Sequence, residues 1–285
     1  MALKDILVLV DGSERDHGRI EFAAELARQH SAHLTGIALP GVDEDSFGSY
    51  AAVPMIPASV LAEAMERYRA EADARLGTLE AGFNDAVRRA GVPGGWEVIV
   101  SDGPGAVAAR ARAADLMVLG QPHPEPKGMQ AGWDVVEEVL LSSGNPVLTL
   151  PYVGTPPALL GHVLVAWNGS REAARAVAGG MALLRAARRV TIVSVVPASE
   201  VEPDYLPAGV DLAQHLGRHG VHAEVSRAVT GGLASADALL DFAADCGAEL
   251  LVMGAYGQSR LREAVVGGVS RAMLRHQTLP LLLAH

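Results

Sequence analysis

The turn Asp11-Gly12-Ser13 returns later in the chain as Asn168-Gly169-Ser170, and each copy closes an apolar run, Ile6 to Val10 or Val163 to Trp167, before a stretch of helical spacing. Gly120 and Gly254 likewise each follow a short apolar run, and Pro146 and Pro280 come 26 residues after them. Two sets of landmarks that align without a gap mark an internal repeat. Strand and helix alternate within each copy, which predicts a βαβαβαβαβ unit with right-handed crossovers and a doubly wound, mostly parallel sheet.

The boundary falls where proline and glycine cluster, at Pro151-Tyr-Val-Gly154-Thr-Pro156-Pro157, giving domains at 1–153 and 158–285. In the first, strands are expected at Ile6 to Val10, His33 to Leu39, Trp96 to Val100, Leu116 to Leu119 and Pro146 to Leu150. A long amphipathic helix from about Ser59 to Ala90 is expected to break at Gly77 or Gly82. Ser13, with Asp16 three residues on, reads as a capping box at the first helix.

Composition narrows the function classes. A formal net charge of −10 with no basic run argues against a nucleic-acid partner. The single Cys246 excludes an intrachain disulfide and a cysteine-rich zinc site, and it fits a reducing, cytoplasmic setting. No apolar run reaches membrane-spanning length, so no membrane partner is expected. His215, His219 and His222 lack a carboxylate or thiol to complete a metal set and read as a solvated helix end. Gly103-Pro-Gly105-Ala-Val-Ala108 mimics a dinucleotide fingerprint, but the next strand ends without an acid for a ribose. No convergent acid, base and nucleophile emerges, so dedicated catalysis is not indicated.

The stretch from Glu249 to His285 carries most of the chemistry. The apolar run Leu250 to Met253 is followed at once by Gly254, then by Gly257 and by Gly267-Gly268 ahead of a helix. Glycines beyond a strand and around a helix start serve either as turn and packing positions or as a nest of N–H groups for an anion.

Two tandem units, strand ends reading V-D-G-S and W-N-G-S, and G-x2-G-x9-G-G-V-S after the fourth strand of the second unit resemble the universal stress protein family. The resemblance covers nearly the whole chain. It implies two flavodoxin-like (Rossmann-like) domains, strand order 3-2-1-4-5, whose fifth strands lie antiparallel and join the sheets. It also implies an adenine nucleotide, ATP or a relative, in the crevice between strands one and four, with Mg²⁺ as the only metal, accompanying ATP. Carried onto this chain, Gly254 and Gly257 pass beside the ribose and α-phosphate, and Gly267, Gly268 and Val269 offer amides to the outer phosphates. Ser270 stands in for a hydroxyl that the family's ATP binders usually carry where this chain has Gly268. Asn168 replaces the Asp usual at its position and can still hydrogen-bond a base or ribose.

The first unit has Gly120, His123, Trp133 and Asp134 at the four glycine positions. The Trp fills phosphate space and the Asp repels it, so nucleotide is expected only in the second unit. The expected function is a stress-response regulator binding an adenine nucleotide there, at most hydrolysing it slowly. The alternative is an interaction or scaffold protein with both clefts degenerate. Partners beyond the nucleotide reduce to an unidentified protein, the intramolecular pairing of the two domains, and a homodimer.

Overall fold

Runs of Val, Ile and Leu that cannot be half-solvated must be covered on both faces, and within each half the chain does so by alternating strand with helix. The computed structural model describes residues 2–39, 58–99, 103–122, 131–154, 160–200, 208–257 and 268–285. Its first half runs β1 (Asp5–Val10), α1 (Asp16–His30), β2 (His33–Ala38), α2 (Ala58–Ala90), β3 (Gly94–Val98), α3 (Pro104–Ala111), β4 (Leu116–Gly120), α4 (Trp133–Ser142) and β5 (Val147–Leu150). The second runs β6 (His162–Ala166), α5 (Arg171–Ala186), β7 (Arg189–Val196), α6 (Val210–Arg218), β8 (Ala223–Val229), α7 (Ser235–Asp245), β9 (Leu250–Gly254), α8 (Val269–His276) and β10 (Leu281–Ala284). No helix among the described residues is long and apolar enough to cross a membrane.

All ten strands form one sheet in the order β3-β2-β1-β4-β5-β10-β9-β6-β7-β8. The order is palindromic about the β5–β10 pair, which is antiparallel, whereas every other pair is parallel. Each half is therefore 3-2-1-4-5, as the resemblance implies. The carboxyl ends of the two sets of parallel strands point in opposite directions, so the two switch-point clefts lie at opposite ends of the molecule.

One face of the sheet packs on α1, α2, α5 and α6, through residues such as Ile20, Phe83, Val177 and Leu216. The other packs on α3, α4, α7 and α8, through Val107, Val136, Leu239 and Leu274. At the junction Leu281, Leu282 and Leu283 face Thr149, Leu148 and Val147, and all six are buried. Helix α5 lies across this seam on its two glycines. A Cβ on Gly179 would stand 3.0 Å from Pro146 Cγ, and one on Gly180 only 2.7 Å from Leu282 Cδ2. On the opposite face α4 meets α8. Glu137 accepts from Arg271 Nη2 at 2.7 Å, and the Arg275 guanidinium lies over the Trp133 ring, 5.8 Å from its centroid.

Three local expectations are corrected. α2 runs unbroken through Gly77 and Gly82, since Ala72, Phe83, Ala86 and Val87 all bury one stripe and one glycine in a helix costs only about 1 kcal/mol. β3 starts at Gly94 and not at Trp96, because the Trp96 ring lies over Gly36 of β2, where a Cβ would be 2.7 Å from Cε3. Ser13 does not cap α1. Arg15 occupies that position with no side-chain bond to the helix, and Asp16 is spent on the turn before it.

Candidate functional site

At the second switch point the parallel pairing of β6 with β9, Val165 opposite Val252, brings Asn168 across from the loop that leaves Gly254. Asn168 is exposed, and its Oδ1 accepts from Ser170 N at 3.1 Å, closing an Asx turn. Ser170 then caps α5 by accepting from Ala173 N at 3.2 Å. The equivalent Ser13 makes no such bond.

The two glycines of the loop differ in kind. Gly254 lies against the first turn of α5, and a Cβ there would fall 2.6 Å from the carbonyl carbon of Glu172, so close strand–helix packing demands glycine. Gly257 has a Cβ position 3.4 Å from its nearest neighbour, Glu172 Oε2, which is ordinary contact. Between them Tyr256 holds φ 50°, a left-handed conformation costly for a side-chain-bearing residue. Two bonds hold it there. Its amide donates to Ser270 Oγ at 3.2 Å, and its hydroxyl reaches Glu137 Oε1 of the first half at 3.4 Å. Burial, reinforced by the Glu137 charge, pushes the Tyr256 phenol up to about 12.

The Tyr256–Ser270 bond draws the Gly254–Gly257 loop to the start of α8. Gly268 is the cap of that helix at φ −55° and ψ 153° and offers no side-chain acceptor, so the first-turn amides of Val269 and its successors are not consumed by a cap. Ser270 is buried and Val269 exposed. Asn168, Gly254, Gly257, Gly268, Val269 and Ser270 thus lie around one strand-end cleft. Gly267 lies outside the described residues, as does His123.

Glu172 was not singled out in the sequence. The residue is only 1 % exposed, and its side chain extends from beside Gly254 to Gly257. One carboxylate oxygen accepts from Arg171 Nε, and the other, Oε2, has no hydrogen-bond partner. The Arg171 hydrogen bond holds the carboxyl below the usual glutamate range.

The first switch point is filled by its own side chains. Arg19, 4 % exposed, donates from Nε to Leu9 O and from Nη2 to Asp11 Oδ1, both at 2.7 Å, and also binds Asp16 Oδ1. Its guanidinium lies directly over Gly120, the counterpart of Gly254. Asp11 spans the cleft: its Oδ2 accepts from Ala131 N, in the approach to α4, at 3.0 Å. Asp16 accepts from Gly12 N at 2.6 Å. Trp133, the first residue of α4, is half-buried with the Arg275 guanidinium over its ring. No group of three metal-ligating side chains gathers among the described residues, and His215 and His219 stack edge to face with ring centroids 4.7 Å apart.

Two carboxylates sharing one buried guanidinium titrate as a pair. Burial raises Asp11, but the Arg19 charge and hydrogen bonds outweigh it and lower the group to about 2. Burial and the Asp11 charge outweigh Arg19 at Asp16 and raise it to about 7. The Asp11 contribution to stability is present above the ordinary value of 3.8 and lost as pH falls towards 2. The Asp16 contribution is complete below 3.8 and lost as pH rises through about 7. Asp16→Asn keeps a donor where the acid holds its proton. Its stability relative to the wild type is therefore expected to improve between pH 5 and pH 8 in urea melts; parallel profiles would show that Asp16 is ionised throughout.

A solved universal stress protein from Archaeoglobus fulgidus superposes with a TM-score of 0.71 at 16% identity, covering 98% of this chain and 97% of that one. A functionally unknown protein from Pseudomonas aeruginosa gives 0.60 at 16%, covering 99% and 92%. At these identities the likeness is one of fold. No curated protein matches the chain. The model of the universal stress protein family matches residues 2–151 and again residues 160–285. With both halves matched and the palindromic sheet in place, the chain belongs to the universal stress protein family.

Proposed function

We propose that the protein is a cytoplasmic stress-response regulator that binds an adenine nucleotide in the cleft of its second domain, residues 158–285, through Asn168, Gly254, Gly257, Gly267, Gly268, Val269 and Ser270. The first domain, residues 1–153, acts as its structural partner. The contrast between the clefts carries this reading: Arg19 covers Gly120 in the first, whereas in the second Gly257 has room for a Cβ and no N-cap side chain occupies the start of α8. Helix-start amides suit a phosphate, and Asn168 suits a base or ribose. Mg²⁺ accompanies the nucleotide only if it carries a polyphosphate.

Calorimetry with AMP, ADP and ATP is expected to give one site per chain. Gly257→Val should weaken binding tenfold or more by standing in the ligand's path, with the unfolding midpoint retained, because the backbone there is not left-handed and the space accepts a Cβ. A stoichiometry of two would overturn the assignment to one cleft. No binding by the wild type would leave a scaffold, with both clefts degenerate, as the function.

A further inference from the structure

Glu172 is a charged group beside the second cleft that the nucleotide reading leaves unused. The residue is 1 % exposed, the Arg171 hydrogen bond holds its carboxyl below the usual glutamate range, and its Oε2 has no donor. A buried anionic oxygen without a partner is unfavourable, and such groups in native proteins ordinarily find one. Arg171 meets only Oε1, from a side chain that is 71% exposed and therefore screened by water. His285 contributes a favourable charge but no hydrogen bond to Glu172 among the described residues. Oε2 is placed beside Gly257, on the loop that Tyr256 and Ser270 tie to the start of α8.

Two consequences follow from this placement. A hydroxyl that enters the cleft next to Gly257 would satisfy the oxygen with a charge-assisted hydrogen bond. A phosphate oxygen in the same place would meet like charge. The start of α8 can take one phosphate at its amides, but a chain of three leaves the carboxylate facing several negative oxygens. Resting on the nucleotide reading above, we propose that Glu172 is the specificity-determining residue of the second cleft: it accepts a ribose hydroxyl and disfavours polyphosphate, so that the ligand is adenosine or its monophosphate and not ATP.

The test uses the full chain and its Glu172→Gln variant, titrated with adenosine, 2′,3′-dideoxyadenosine, AMP, and ATP with and without Mg²⁺. The wild type should bind adenosine about tenfold or more tighter than the dideoxy compound, and AMP about tenfold or more tighter than ATP. Glutamine keeps the shape but not the charge, so both ratios should move towards one in the variant. The wild-type ratios decide the matter even if the variant does not fold. Equal affinity for AMP and ATP in the wild type would sink the selectivity while leaving nucleotide binding in place. ATP binding that is tightest with Mg²⁺ and lost in Glu172→Gln would make the carboxylate a metal bridge and overturn the proposal. If no compound binds the wild type, nucleotide binding itself fails and the proposal falls with it.

Discussion

Leu282→Asp is expected to yield little soluble protein, and whatever is recovered should lack cooperative unfolding. Leu282 is fully buried in β10, opposite Leu148 of β5, with Cδ2 beneath Gly180 of α5. No basic group among the described residues offers the new carboxylate an ion pair there. Truncation of a buried leucine alone costs about 2–5 kcal/mol, and an unpaired ion adds several kcal/mol more. The sum is comparable with the whole stability of an ordinary domain. Because the strand belongs to both halves of the sheet, the loss should not be confined to one of them. Val229→Asp, at the exposed end of the edge strand β8, serves as the control and should melt near the wild type. If the two variants melt alike, the β5–β10 pairing is not what holds the halves together.

Arg19→Met should destabilise the fold by about 3–5 kcal/mol, because it removes the cation that bridges two buried carboxylates and leaves them facing each other. The methionine fills much of the volume, so the loss reports charge and hydrogen bonding more than a cavity. Adding Asp16→Asn removes one of the stranded charges, and the double variant should recover part of the loss. That non-additivity identifies a single network. Denaturant midpoints for the four proteins of the cycle at pH 8 would measure it. Additive effects would mean that Arg19 acts through Leu9 O and Asp11 and not through Asp16.

The architecture could be read from the chain because its strands are short apolar runs ended by a glycine or an Asx-Gly-Ser turn, and because the same order occurs twice. The ten-stranded continuity and the antiparallel seam could not be read that way. Leu148 and Leu282 are anonymous members of buried runs, and only the family likeness pointed to their pairing. Helix continuity through Gly77 and Gly82 was misjudged because propensity is local, whereas the stripe from Ala72 to Val87 is fixed by what it packs on.

The clefts show the same division. The spacing of Gly254, Gly257 and Gly268 draws attention to one strand end, yet it does not separate Gly254, held by contact with α5, from Gly257, which has room. Asp11, Asp16 and Arg19 read as acids suited to a helix start followed by an ordinary arginine. An Arg three residues after an Asp in the first turn, with another Asp ending the strand before it, was the available signal. Glu172 had none: the sequence gives no sign that a first-turn glutamate is turned inward along a glycine loop and not outward to water.

The palindromic sheet also bears on how such a molecule can change over time. Two identical chains joined through their fifth strands would carry the same cleft twice, and a substitution that closed one would close the other. Here the partners are covalently linked, so the seam forms at an effective concentration that no dilution reduces. One copy can thereby change its cleft without threatening assembly. Asp11, Asp16 and Arg19 have filled the first cleft while the second retains Asn168 and its glycine loop. Tethering turns a redundant binding site into a place where internal contacts can accumulate.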